Sequence, residues 1–276
     1  MNVLAGKTLV SLSFDDGRED TYRTTYQVMK RYGFRGTIHV VTGYVDGTWM
    51  PEKWCTAKGA ITVEQLKEMK DYGFEISSHG DKHITEKHDL LESIRKLRNW
   101  GLVEEDVGFS IPNSQLSEQI RKEFTEDLVN HGVAYMRGGR NPLSYSLKSK
   151  VFYGLYTISK LQWFYDLFNR HNWIDLHKNC SLNKYDLFSV VIRYEDHPGM
   201  IAKFIKSHFN KSNWVILMIH GIQEKNEDTY GKDPWCWDLN KFEQLCKHLK
   251  LMSDVGEISV RPILEVIKEE IWLGGR

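Results

Sequence analysis

Two aspartates stand side by side where an apolar run ends. Thr8-Leu9-Val10-Ser11-Leu12-Ser13-Phe14 leads directly into Asp15-Asp16-Gly17. Adjacent carboxylates repel, so each needs a cation, a hydrogen-bond donor or solvent. Two histidines, His79 and His83, follow another short apolar run in Ser78-His79-Gly80-Asp81-Lys82-His83, and His220 closes a third, Trp214-Val215-Ile216-Leu217-Met218-Ile219. One carboxylate and two imidazoles make a three-ligand set for a catalytic zinc, whose fourth position stays open to water. Such an ion draws the pKa of its water toward about 7 and polarises a carbonyl oxygen. On this reading Asp16, His79 and His83 hold the ion. Asp15 takes a proton from the water, and His220 returns one to a leaving group. Each piece also has a plainer explanation. FDDG is a solvated turn in which Gly17 supplies positive φ, an H-x-x-x-H pair arises by chance among eleven histidines, and a lone histidine after a strand is a satisfied core group. The shared position at strand ends joins them into one candidate site.

These residues converge only if the elements beneath them are parallel. Strands are expected at 8–14, 36–42, 74–79, 107–111, 133–137, 187–194 and 214–220, with a short one at 258–261. Amphipathic helices are expected at 19–32, 62–73, 88–100, 115–131, 198–209 and 240–253. The second of these starts with a capping box, Thr62 with Gln65 three residues on. Strand–helix alternation with two-sided apolar strands argues for a parallel sheet covered by helices. Seven or eight such units suit a closed (β/α) barrel, whose strand C-termini all open on one face. The expectation is therefore one α/β domain over residues 1–276, with long loop insertions. Residues 43–60 form one insertion. Residues 138–186, rich in aromatics, form a second, with the character of a cap or lid.

Bulk properties narrow the function. The chain has 276 residues, 41% hydrophobic and 27% charged, with formal net charge zero. No basic excess exists to hold a phosphate backbone, which argues against nucleic acid as a partner. No stretch of about twenty apolar residues is present to span a membrane. Cys55, Cys180, Cys236 and Cys246 form no C-x-x-C pair and are expected to be reduced, buried thiols. The start MNVLAGKTLV lacks the apolar core of an export signal, so a cytoplasmic location is expected, where the sequons Asn179-Cys180-Ser181 and Asn210-Lys211-Ser212 are silent. Phosphate-binding glycine motifs are absent.

SLSFDDG, SSHGDKH and VILMIHG resemble the three principal motifs of the polysaccharide deacetylase family (carbohydrate esterase family 4, the NodB homology domain). The family's first motif has the form T-F-D-D-G, its second H-[ST]-x-x-H, and its last is an apolar strand ending in His. NKFEQLCKHLK followed by ISVRPILEVI also resembles the family's C-terminal helix and strand. The resemblance implies a distorted (β/α)7 barrel that hydrolyses N-acetyl, or in some members O-acetyl, groups of sugars. It implies Asp15 as general base, His220 as general acid, and Asp16, His79 and His83 as ligands of Zn²⁺ or of Co²⁺, Ni²⁺ or Mn²⁺. A carbohydrate is then the substrate. With no export signal, a nucleotide- or lipid-linked sugar of surface-polysaccharide assembly is expected.

The chain also departs from the family. The third motif, typically R-P-P-Y-G, is matched by Ser110-Ile111-Pro112-Asn113-Ser114. Ser110 replaces the arginine that braces the base, and Asn113 replaces the tyrosine whose backbone N–H helps form the oxyanion hole. A backbone donor survives that exchange. Arg137 either points into the same face and replaces the arginine or makes a surface ion pair. Gly80 replaces a Ser or Thr of the second motif. Met218 takes the place of the apolar residue that lines the acetyl pocket, or simply packs in the core. Trp235 and Trp237 either stack on a sugar or cover the barrel mouth. One of Glu195, Asp196 and His197 orients His220 or contacts substrate, or all three belong to a solvated loop. Two other functions are compatible with these residues: hydrolysis of a non-sugar amide, imide or ureide, and a catalytically silent carbohydrate-binding barrel. Oligomeric state is not legible.

Overall fold

A computed structural model describes residues 7–51, 57–114, 124–125, 127–139, 147–173, 183–207, 209 and 214–269. Cys55, Cys180, both sequons and most of the expected 115–131 helix lie outside the described residues. Seven strands run in parallel: β1 (Thr8–Phe14), β2 (Thr37–Val40), β3 (Glu75–Ser78), β4 (Val107–Ser110), β5 (Val133–Gly139), β6 (Leu187–Val191) and β7 (Trp214–Ile219). Pairing of β1 with β7, from Leu9↔Trp214 to Phe14↔Ile219, closes them into a (β/α)7 barrel. The barrel is distorted at the other edge of β1. Ser13 and Phe14 pair with β2, whereas Thr8–Val10 pair with a later strand, β10 (Ile258–Val260). Two strands thus share one edge. Between β7 and β10 a small parallel pair, β8 (Gly221–Gln223) and β9 (Cys236–Asp238), stands as a separate sheet that the sequence pattern did not disclose.

Alternation along the strands sets what lies inside. All seven residues of β1 are buried. Val10, Leu12 and Phe14 join the large cluster that also holds helix residues such as Leu66, Leu97 and Phe242. Leu9 joins a second cluster with Tyr135, Leu187, Trp214 and Ile216. Ser11 and Ser13 share the inward face with Leu9, bonding Trp214 Nε1 (3.0 Å) and His39 Nδ1 (3.1 Å). The helix after β10, Ile263–Lys268, adds Ile263, Val266 and Ile267 to this inner cluster and so closes the N-terminal end of the barrel. Packing at that end leaves the polar residues of the strand C-termini to face the open end.

Helices bounded within the described residues include α1 (Gln27–Arg31), α2 (Thr42–Val45), α3 (Val63–Tyr72), α4 (Lys87–Asn99), α5 (Leu147–Ser159), α6 (Gln162–Trp173), α7 (Pro198–Lys206), α8 (Leu239–Asp254) and α9 (Ile263–Lys268). The expected 19–32 helix begins instead as a π-helical turn, Thr21–Tyr26. The capping box of α3 forms as read: Gln65 N donates to Thr62 Oγ1, and Thr62 N donates to Gln65 Oε1. The expected 187–194 strand stops at Val191, because the chain turns there. Arg193 N donates to the Asp196 carboxylate (2.7 Å) and Asp196 N to the Arg193 carbonyl (3.0 Å). The 138–186 insertion contains a helical hairpin, α5–α6. Cys236 and Cys246 are buried, and Cys236 Sγ donates to Asp233 Oδ2 at 3.2 Å. No helix among the described residues is long and apolar enough to cross a membrane.

Candidate active site

The β1–β7 ladder extends one residue past Phe14, with Asp15 N donating to the Ile219 carbonyl at 3.0 Å. The chain then turns sharply. Asp16 takes φ 76° and Gly17 φ 75°. Across this turn the two carboxylates, each with an oxygen within 3.8 Å of His79 Nε2, find different hydrogen-bond surroundings. Asp15 meets a cation: Arg137 Nη2 donates to its Oδ1, and Ser110 Oγ donates to its Oδ2 at 3.2 Å. Both oxygens of Asp16 are buried with no hydrogen-bond partner.

His79 lies just past β3, its N–H bonded to the Val40 carbonyl at 2.9 Å. Its Nδ1 is 2.9 Å from the Ser110 carbonyl, so Nδ1 carries the proton and Nε2 presents a lone pair. That Nε2 is 3.7 Å from Asp16 Oδ1 and 3.8 Å from Asp15 Oδ2. The following loop wraps around Asp89, whose carboxylate accepts from Asp81 N (2.9 Å) and Lys82 N (2.8 Å). The wrap brings His83, at φ 56°, back over His79 with ring centroids 4.7 Å apart. Asp16, His79 and His83 each offer a ligand atom, all within 4.8 Å of one another. An unpartnered buried carboxylate facing two imidazoles fits a divalent cation.

Gly80 now has a physical reason. Its φ is 84°, and a Cβ there would sit 2.4 Å from Asp89 Oδ2. Gly80→Ser is expected to cost about 1–3 kcal/mol of folding stability by forcing this loop off Asp89. Urea denaturation measures it, and an unchanged midpoint would refute the clash.

Charge follows from burial and neighbours. Burial alone would raise the Asp15 carboxyl; the Arg137 guanidinium, His79 and His39 outweigh it and hold it well below the usual carboxylate range. Burial pushes Asp16 up to about 6, against the pull of His220 and with help from Asp15. Burial holds His79 well below the ordinary histidine value and lowers His83 too, which favours the neutral imidazole that a metal would need.

Arg137 is fully buried and lines the barrel interior rather than the surface. Besides Asp15 it donates to Ser110 Oγ (2.6 Å) and Ser189 Oγ (3.0 Å), and its Nη1 lies 2.7 Å from Met218 Sδ. Met218 is therefore next to the Asp15 cluster as well as in the core. His220 follows β7, half-buried, with its Nδ1 unpartnered and its ring 5.6 Å from that of Trp235. Trp235 is half-buried and carries the Arg193 guanidinium over its face at 4.9 Å. Asn113 is exposed in the turn Pro112–Ser114, at φ 55°.

Trp237 does not share the site. It is fully buried, with Nε1 donating to the Asp196 carbonyl at 2.9 Å, so it is core rather than a stacking surface. Asp196 is also buried and its carboxylate accepts from Arg193 N, leaving His220 Nδ1 without a bond from residues 195–197. Two groups escaped the sequence reading. Arg18, 1% exposed, bonds Asp20 and lies 3.5 Å from Asp233, anchoring the loop that carries Trp235. His39, fully buried on β2, lies 3.6 Å from Asp15 Oδ1 and 2.9 Å from Tyr135 OH. Its alternation with Thr37 on an otherwise apolar strand was the available signal.

Residues 3–130 match the family profile described as polysaccharide deacetylase. Over 75 residues the chain is 36% identical to YxkH of Bacillus subtilis strain 168, a protein provisionally named a polysaccharide deacetylase; the match covers 27% of this chain and 23% of YxkH. Among solved structures, the Xyl-CE4 domain of a xylanase from the hindgut metagenome of Trinervitermes trinervoides is 14% identical, with a TM-score of 0.47 over 96% of this chain and 91% of that one. A family 4 acetyl xylan esterase of Clostridium thermocellum, solved with cobalt, is also 14% identical, with a TM-score of 0.46 over 95% and 91%.

Proposed function

We propose that this chain, whose residues 3–130 match the polysaccharide deacetylase family profile, is a metal-dependent hydrolase that removes an acetyl group, most readily N-acetyl, from a sugar. The observation that carries this reading is the unpartnered Asp16 carboxylate facing His79 and His83 beside a separately braced Asp15. Asp16, His79 and His83 would hold Zn²⁺ or a similar ion (Co²⁺, Ni²⁺ or Mn²⁺), which when bound lowers the pKa of water and polarises the acetyl carbonyl. Asp15, kept ionised by Arg137, accepts the proton of the attacking water. The backbone N–H at Asn113 donates to the oxyanion. His220 protonates the departing amine, and acetate leaves. Met218 packs against the acetyl methyl, and Trp235, braced by Arg193, offers its face to a sugar ring. The substrate we propose is a nucleotide- or lipid-linked sugar or oligosaccharide of surface-polysaccharide biosynthesis, and the location the cytoplasm.

The test is metal content beside acetate release. The purified protein should carry near-stoichiometric zinc, cobalt, nickel or manganese, and His79→Ala should lose it while keeping its circular dichroism spectrum. Acetate release from N-acetylated sugars should vanish with the metal. Absence of metal in both proteins after reconstitution would overturn the reading.

A further inference from the structure

The helical hairpin α5–α6 turns at Lys160, which adopts φ 56°. One side of it packs on the rest of the molecule. Tyr165 and Phe168 are buried, Tyr156 packs on Tyr165 with ring centroids 5.0 Å apart, and Gln162 Nε2 donates to the Glu195 carbonyl at 3.2 Å. Glu195 follows β6, so the hairpin stands beside the open end of the barrel, where the candidate site lies.

The other side has no partner among the described residues. Leu147, Val151, Leu155 and Ile158 recur at i, i+4, i+8 and i+11, one stripe of α5. Leu161 and Trp163 continue it through the turn. These six are 80, 53, 39, 85, 58 and 63% exposed. Seven of the twelve exposed large hydrophobic residues among those described fall in this hairpin, so they form a patch rather than normal surface scatter.

Charge selects what covers the patch. At 3.6 residues per turn, Lys148 and Lys150 fall on the two flanks of the stripe, and Lys160 caps its end; all three are exposed. Residues 147–168 hold these three lysines against one acid, Asp166, a local cationic excess in a chain of net charge zero. A second copy docking on this face would bring its own lysine rim against the first. Anionic headgroups would pair with the rim while aliphatic side chains and an interfacial tryptophan enter the acyl boundary and lysine stems snorkel.

We infer that the exposed face of the α5–α6 hairpin docks on an anionic lipid bilayer and holds the barrel mouth at the membrane surface. Resting on the function proposed above, this favours a lipid-linked over a nucleotide-linked sugar as substrate. The docking itself needs no substrate to be measured.

The full chain is sedimented with vesicles of phosphatidylcholine alone and of phosphatidylcholine with phosphatidylglycerol, beside the variant Ile158→Glu/Leu161→Glu. Both residues are exposed, so the variant should keep its circular dichroism spectrum and melting temperature. The wild type should bind the anionic vesicles, less so at high salt and least on phosphatidylcholine alone. The variant's partition coefficient should fall about tenfold or more. No binding of wild type to anionic vesicles, or equal binding by the variant, would overturn the inference. So would a dimer of the wild type that the variant loses without any vesicle binding. Metal content and acetate release, unchanged in the variant, keep the two readings apart: each can fail while the other stands.

Discussion

Asp15→Asn should lower acetate release by about a hundred- to ten-thousand-fold while leaving metal content at the wild-type level. Asparagine has nearly the shape of aspartate: its amide oxygen can accept from Arg137 while its amide N–H donates to Ser110 Oγ, so the pocket keeps its outline. What it loses is the charge that takes a proton in the proposed mechanism. The neighbouring substitution, Asp16→Asn, removes an anionic ligand from the Asp16–His79–His83 set and should empty the site of metal. The contrast follows from backbone geometry. Asp15 continues the ladder and points to Arg137, whereas Asp16, at φ 76°, turns its carboxylate away from every donor. Metal analysis and a turnover assay on the same preparations separate the two roles. If Asp15→Asn also lost the metal, Asp15 would belong to the ligand set. If it kept both metal and turnover, the base would be another group.

Much of this arrangement was legible in the sequence because strand ends are. An apolar run that stops at Asp15, His79 or His220 declares both a buried strand and the polar group at its end, and parallel closure puts those ends on one face. Less was legible where the outcome depends on which of two acceptable environments a side chain finds. Arg137 in VAYMR is compatible with an interior or a surface ion pair; the register Ser110↔Arg137 across β4 and β5 decides it. Trp237 in a polar loop looked exposed, yet the β8–β9 pair folds it inward. That pair consists of three-residue strands, too short for periodicity to show. Gly80 looked like a lost hydroxyl and proves to be space for Asp89, a contact seven or more residues away that no local pattern reports.

Arg137→Met should cost about 3–5 kcal/mol of folding stability, the usual result of leaving one partner of a buried ion pair alone. Methionine fills much of the arginine's volume without its charge, so lost packing is a minor part. The pH dependence has a definite sign. In the wild type the Asp15 carboxyl is held below its unfolded value of 3.8, so its stabilisation is present above that value and is lost as pH falls through the folded one. Without Arg137 the burial of Asp15 has less to oppose it and the carboxyl rises. The variant is then weakest near neutrality and recovers toward the wild type in mild acid, where Asp15 protonates and needs no cation. Asp15→Asn/Arg137→Met removes both charges, so it should cost less than the sum of the single substitutions, by about 0.5–3 kcal/mol. Urea denaturation of the four proteins at neutral and mildly acid pH measures all of this. Strict additivity, with a loss that does not vary with pH, would mean that Arg137 serves the fold through Ser110, Ser189 and Met218 and does not brace the base. Coupling would mean that Arg137 on β5 braces Asp15 directly, from the strand beside Ser110, because β4 and β5 present their ends to the same carboxylate.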